Sequence, residues 1–196
     1  MATLNNSVQS IGIIAEDSSD IDVINEIIKK FSPPNTFHIK KFVGNGCGKL
    51  RNKCQSWADA LIKKGCNHLL LIHDLDRNKE SDLLSALQSK IPKEKYPNSL
   101  IVIPIEELEA WLLSDEAAIQ SVFSLKERPK KYKNCEQIKS PKEELARLVW
   151  SKATKRYLNT VHNKKIAEKT SLENFRRCSS FKPLDEYIKK SIFQGE

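Results

Sequence analysis

The sequence predicts an α/β protein: a mostly parallel four-stranded sheet with helices on both faces, followed by a C-terminal α-helical extension. Short apolar runs alternate with segments of helical periodicity as far as Phe123. Those runs are continuously hydrophobic, as strands covered on both faces are. After Phe123 no further run of this kind occurs. Residues 1–123 are expected to form the core, and 124–196 a basic helical extension packed on it.

Ile11–Ala15 reads as the first strand. Ile21, Ile24, Ile28 and Phe31 then recur at helical spacing, and Pro33-Pro34 stops that helix. Thr36–Val43 is a second strand and Gly44–Gly48 a turn. Leu50, Cys54, Trp57, Ala58 and Leu61 mark one face of a helix ending near Gly65. The third strand is His68–His73, followed by a helix through Leu83, Leu84, Leu87 and Ile91. The fourth, Leu100–Ile105, leads into a helix carrying Leu108, Trp111 and Leu112. Strands alternating with helices in this way build parallel sheets. In the extension, Arg128–Lys133 is an exposed basic loop and Pro141 opens a helix through Leu145, Leu148 and Val149. Short helices follow near Lys164–Lys169 and Pro183–Ile192.

A chain of 196 residues, 39% hydrophobic and 30% charged, can bury a substantial core. No apolar stretch has the length of a membrane span, and Met1–Asn6 has no secretory pattern, so a cytoplasmic location without membrane association is expected. The five cysteines are scattered and never form a C-x-x-C pair, which argues against disulfides and structural zinc. Reduced, mostly buried thiols are expected. Charge is unevenly placed: 13 basic and 4 acidic residues from Lys126 to Lys165 give that segment +9, against +8 for the whole chain. Such a block suits a polyanion such as DNA or RNA, with Lys130, Lys131, Lys133, Lys164 and Lys165 as candidate phosphate contacts, although a solvated surface explains lysines equally well.

The chemistry is expected where strands end in acid. Ile11–Ala15 runs into Glu16-Asp17, Leu69–Ile72 into His73-Asp74-Leu75-Asp76-Arg77, and Leu100–Ile105 into Glu106-Glu107-Leu108-Glu109. Ligands of open α/β sheets gather beyond the carboxyl ends of the strands. Acids converging there repel one another unless hard cations such as Mg²⁺ or Mn²⁺ neutralise them. Single acids after strands also serve as turns and caps: Ser19 with Asp22 fits a capping box, making Asp20 and Asp22 helix-start residues, and Glu106 favours the N-terminus of the helix it opens. Gly44-Asn45-Gly46-Cys47-Gly48-Lys49-Leu50 lacks Walker spacing and reads as a strand-to-helix loop bordering the site. His73 is expected to be packed or hydrogen-bonded, facing away from Asp74, and Trp111 to be core.

These residues resemble the Toprim family. Ala15-Glu16-Asp17-Ser18-Ser19-Asp20 is similar to its E-G-x-(S/T)-D turn, with Asp17 in place of glycine, and Asp74-Leu75-Asp76 matches its D-x-D. A closer resemblance is to small stand-alone Toprim-like proteins of bacterial defence and mobile loci, related to OLD-family nucleases. They carry E-x-E-A-W-L-L-x-D, present here as Glu107–Asp115, and a late K-x-I-A and C-x-S-F, similar to Lys165-Ile166-Ala167 and Cys178-Ser179-Ser180-Phe181.

The resemblance implies a metal-dependent nuclease acting on DNA or RNA, tRNA included, as an anti-phage effector or with a partner protein in a defence complex. It implies that Asp74 and Asp76 hold Mg²⁺ or Mn²⁺, that Glu16 is a metal ligand or general acid/base, that Glu107 or Glu109 completes the set, with Glu109 favoured as the ligand, and that Arg77 braces a phosphate oxygen. Because Glu107 and Glu109 are two apart, a regular helix would point them in different directions. Two other readings stay open: a receiver-like phosphoacceptor module, for which no hydroxyl follows the fourth strand, and a non-catalytic nucleic-acid-binding subunit.

Overall fold

In a computed structural model, residues 8–32, 36–151 and 156–193 are described here. Pro33, Pro34 and Lys152–Lys155 lie outside them, as does the chain start.

The strands are β1 (Gln9–Ala15), β2 (Phe37–Val43), β3 (His68–Ile72) and β4 (Ser99–Val102). They form one sheet in the order β2-β1-β3-β4, every pair parallel. The crossovers are α1 (Ser18–Lys29), α2 (Cys47–Lys63) and α3 (Glu80–Gln88). Chain direction across the sheet reverses between β1 and β3, so their carboxyl ends flank the crevice where α/β sheets bind ligands.

Strand alternation divides the core. Ile11, Ile13, Leu70 and Ile72 face α1 and the C-terminal helices, whereas Ile14, Leu69 and Leu71 face α2 and α3. Gly12 lets α2 come close: a Cβ there would sit 2.9 Å from Leu69 Cδ2 and 3.0 Å from Leu61 Cδ1.

The remaining helices are α4 (Glu109–Leu112), α5 (Glu116–Phe123), α6 (Pro141–Trp150), α7 (Asn159–Lys169), α8 (Leu172–Phe175) and α9 (Lys182–Tyr187), which runs into a π-helical turn at Ile188–Ile192. The extension shares the sheet's core. Leu145, Ile166, Phe175, Phe181, Leu184 and Ile188 are buried in one cluster with Ile13 and Leu70. No helix among the described residues is long and apolar enough to cross a membrane. All five cysteines are free, and four are buried.

Several local expectations are corrected. The α1 capping box is Asp17 with Asp20, not Ser19 with Asp22, because Asp17 accepts from Ser19 N and Asp20 accepts from Asp17 N. β4 stops at Val102 instead of reaching Ile105, since Pro104 has no N–H to continue the ladder. Glu106 opens no helix: its φ is 59°, and α4 starts at Glu109. Ile91 lies beyond the end of α3, yet is buried.

The E-A-W and S-S-F motifs meet in one partly buried network. Trp111 Nε1 donates to Ser180 Oγ at 2.8 Å, and the Trp111 ring meets Phe181 edge-on. The Glu136 carboxylate accepts from the N–H and hydroxyl of both Ser179 and Ser180. Burial pushes that carboxyl up, but these four donors overcome it and hold it below its ordinary value. Its contribution to stability is therefore present above pH 4.5 and lost as pH falls through its lowered folded value. Glu136→Ala, which strands the donors, should lower unfolding free energy by about 2–4 kcal/mol, and Trp111→Phe by about 1 kcal/mol, in urea denaturation at pH 7.

Candidate functional site

Beyond the carboxyl ends of the strands lies a cavity of about 280 Å³ lined by Glu16, Asp17, Ser19, Asp20, Asn45, Gly46, Asp74, Glu107, Glu109, Lys142 and Asn159. Of the expected acids, Glu16, Asp74, Glu107 and Glu109 are brought together there. Glu107 and Glu109 both reach it because only Glu109 is helical, while Glu107 sits in the irregular corner before α4.

Each acid is held by the backbone or by the extension. Asp74 Oδ1 accepts from Leu108 N at 3.0 Å, and Glu107 Oε2 from Lys142 N at 2.8 Å. Glu109 Oε1 accepts from Asn163 Nδ2 at 3.0 Å and Tyr157 Oη at 3.2 Å. Glu16 differs, because its Oε2 is buried without a hydrogen-bond partner. A buried carboxylate oxygen left open in this way costs free energy that a ligand can recover.

Five helices begin at this cavity. The first residues or caps of α1 (Asp17), α2 (Gly46), α4 (Glu109), α6 (Lys142) and α7 (Asn159) all line it. Helix N-termini carry partial positive charge, which offsets the crowded acids. The offset is incomplete. Burial, joined by the charges of Asp20, Glu109, Glu16 and Asp76, holds the Asp74 carboxyl well above its ordinary value. Burial also pushes Asp20 up to about 8, with Glu109, Asp17 and Glu16 adding to it against the Asp17 N–H bond. Glu16 is raised mainly by burial and in part by Asp76, while Arg51 and the Cys47 N–H pull it down.

Asp76 is exposed and does not line the cavity, although its charge acts on Glu16 and Asp74. It adopts a left-handed φ of 50°, and its N–H donates to the carbonyl of Glu106, itself left-handed. Two non-glycine residues thus carry backbone strain just beyond the ends of adjacent strands. Arg77 is exposed next to Asp76, away from the cavity lining. The guanidinium whose charge acts on Glu16 belongs to Arg51, which no sequence motif marked. Arg51 Nε donates to His73 Nε2 at 2.9 Å, so His73 Nδ1 must carry the proton shared with Asp74 O at 2.7 Å. His73 is fully buried, as expected, and braces the Asp74 backbone.

Lys130, Lys131 and Lys133 are exposed in the loop after α5, outside the lining. Lys164 faces Glu26 on α1 at 3.9 Å, and Lys165 is exposed. Lys142 and Asn159 are the extension residues that border the cavity, and no sequence motif marked them. Asp20 was also missed as a cavity group, because its capping role was legible but its burial was not.

The donor set is hard carboxylate oxygen with one open atom, which fits Mg²⁺ or Mn²⁺ by chemistry. Among the described residues no three acidic, imidazole or thiol groups are arranged as a metal-holding cluster.

The matching family model, a domain of unknown function (DUF4276), spans residues 15–188, and the chain belongs to that family. Neither curated proteins nor solved structures returned a match.

A pH effect follows from Asp20. With a folded value of about 8 against an ordinary 3.8, its ionisation destabilises the metal-free fold as pH rises through that window. Between pH 5.5 and 8.5, metal-free wild type should therefore lose more thermal stability than Asp20→Asn. Each kcal/mol of relief corresponds to roughly 2–4 °C in a melt.

Proposed function

We propose that the protein is a metal-dependent nuclease, hydrolysing phosphodiester bonds of DNA or RNA with Mg²⁺ or Mn²⁺. One observation carries this reading: acids from the ends of β1, β3 and β4 share one cavity, and one of them has a buried oxygen with no partner. The resemblance of Glu16, Asp74-Leu75-Asp76 and Glu107–Asp115 to Toprim enzymes supports it.

Glu16, Asp74 and Glu109 would hold the metal, with the exposed Asp76 adding its charge from the adjoining turn; the metal when bound would polarise a phosphate and activate water. Glu107, whose carboxyl burial raises above its ordinary value, would serve as the proton-transfer group. Arg51, anchored through Nε, leaves its terminal amino groups for a phosphate oxygen, the role first given to Arg77. Lys142 adds a cation at the rim.

The receiver alternative has less in its favour: the sheet has four strands, and the half-buried Asp74 already accepts from Leu108 N, a poor acceptor position for a phosphoryl group.

Purified protein should cleave labelled DNA, RNA or tRNA with Mn²⁺ or Mg²⁺ and not with EDTA. Glu16→Gln and Asp74→Asn should each lower the rate by about 100-fold or more, with Arg51→Met nearer tenfold and Arg77→Met near wild type. Metal binding without cleavage of any of these substrates would instead favour the non-catalytic subunit, and acetyl-phosphate labelling of Asp74 the receiver.

A further inference from the structure

Trp150 is placed against ordinary packing logic. Tryptophan has the most apolar area to bury, yet this one is 65% exposed at the last residue of α6. Trp111 is fully buried, and Trp57 lies stacked on Phe42 with centroids 5.4 Å apart. The Arg156 guanidinium sits 5.0 Å from the Trp150 ring centroid, a cation–π arrangement that steadies the ring. Leu158 and Val161 are exposed nearby, so three of the five large exposed hydrophobic side chains among the described residues fall between positions 150 and 161.

Two short stretches of chain link this patch to the acidic cavity. α6 starts with Pro141 and the cavity-lining Lys142 and ends at Trp150, about 12 Å further along the helix axis. Arg156 precedes the cavity-lining Asn159 by three residues, at most about 11 Å of chain. The surrounding segment is the one in which 13 basic residues face 4 acidic ones. An exposed aromatic face in a positive field matches a ligand that is itself flat-faced and anionic, which describes an unpaired base on its phosphate backbone. A neutral apolar peptide would match the hydrophobic side chains and leave the charge unused.

We propose that Trp150, backed by Arg156, is a stacking platform for an unpaired base of single-stranded nucleic acid whose neighbouring backbone reaches the cavity. Its ligand class rests on the nuclease reading. A base paired within a duplex cannot offer its face to the ring, so the platform selects single strands and frayed ends over duplex.

The test uses full-length Glu16→Gln protein in EDTA, where no strand is cut, with a 15-nucleotide single strand of mixed sequence, as DNA and as RNA, and the same sequence as duplex. As the one strongly exposed tryptophan, Trp150 should have its fluorescence quenched by the single strands. Trp150→Ala should weaken single-strand binding by roughly 5- to 100-fold, with Trp150→Phe retaining most of the affinity and duplex affinity changing less than twofold. An unchanged melting temperature would exclude a structural origin, as expected for an exposed side chain.

Single-strand affinity within twofold of the parent in Trp150→Ala, or equal losses for single strand and duplex, would overturn the platform. The two readings fail separately. Trp150-dependent binding by wild type that never cuts with Mn²⁺ sinks the nuclease and keeps the platform. Cleavage with unchanged KM in Trp150→Ala sinks the platform and keeps the nuclease. Absence of any oligonucleotide binding overturns the platform and assigns the patch to a protein partner.

Discussion

Carboxylate repulsion at the carboxyl end of the sheet is the constraint around which this molecule is arranged. Glu16, Asp20, Asp74, Glu107 and Glu109 crowd one cavity, where burial strengthens their mutual field. The fold meets that cost in three ways. Five helices start there, backbone N–H groups of Leu108 and Lys142 bond to Asp74 and Glu107, and Asp20 and Asp74 hold protons above the usual range. None of these removes the cost. What remains is a cavity in which the Glu16 Oε2 is buried without a hydrogen-bond partner.

The helical extension is part of that arrangement. Tyr157 and Asn163 fix Glu109, Lys142 holds Glu107 through its backbone N–H, and Asn159 donates to Ser19 Oγ at 3.3 Å. On the opposite side of α4, Ser180 bonds Trp111 and Glu136 locks Ser180. α4 is only four residues long and cannot hold its own position. Contacts from sequence-distant helices place it, and with it Glu109. The E-x-E-A-W stretch thus joins two purposes: its glutamates face the cavity and its tryptophan anchors the helix that carries one of them.

A similar division holds along β3. Its apolar residues bind the two halves of the core, and its last turn carries the chemistry. His73 sits between these regions, converting an Arg51 contact on α2 into restraint of the Asp74 backbone. The left-handed pair Asp76 and Glu106 extends that restraint across to the end of β4.

By itself the sequence determined the α/β class, all four strands, the crossover helices, and the acids Glu16, Asp74, Glu107 and Glu109. Strand runs and the residues that follow them are local, and a parallel sheet sends every strand's carboxyl end to the same edge, so local pattern sufficed. Tertiary structure alone decided the rest. Asp20 joined the cavity because the capping box lies two residues earlier than Ser19 suggested, which turns its side chain inward. Arg51 comes within reach of His73 and Glu16 because α2 packs beside β3. Lys142, Tyr157, Asn159 and Asn163 arrived from the extension, more than 30 residues after Glu109, and only its folding onto the sheet set their distance from it. Periodicity reports which face of an element is buried. It carries no information on which other element buries it.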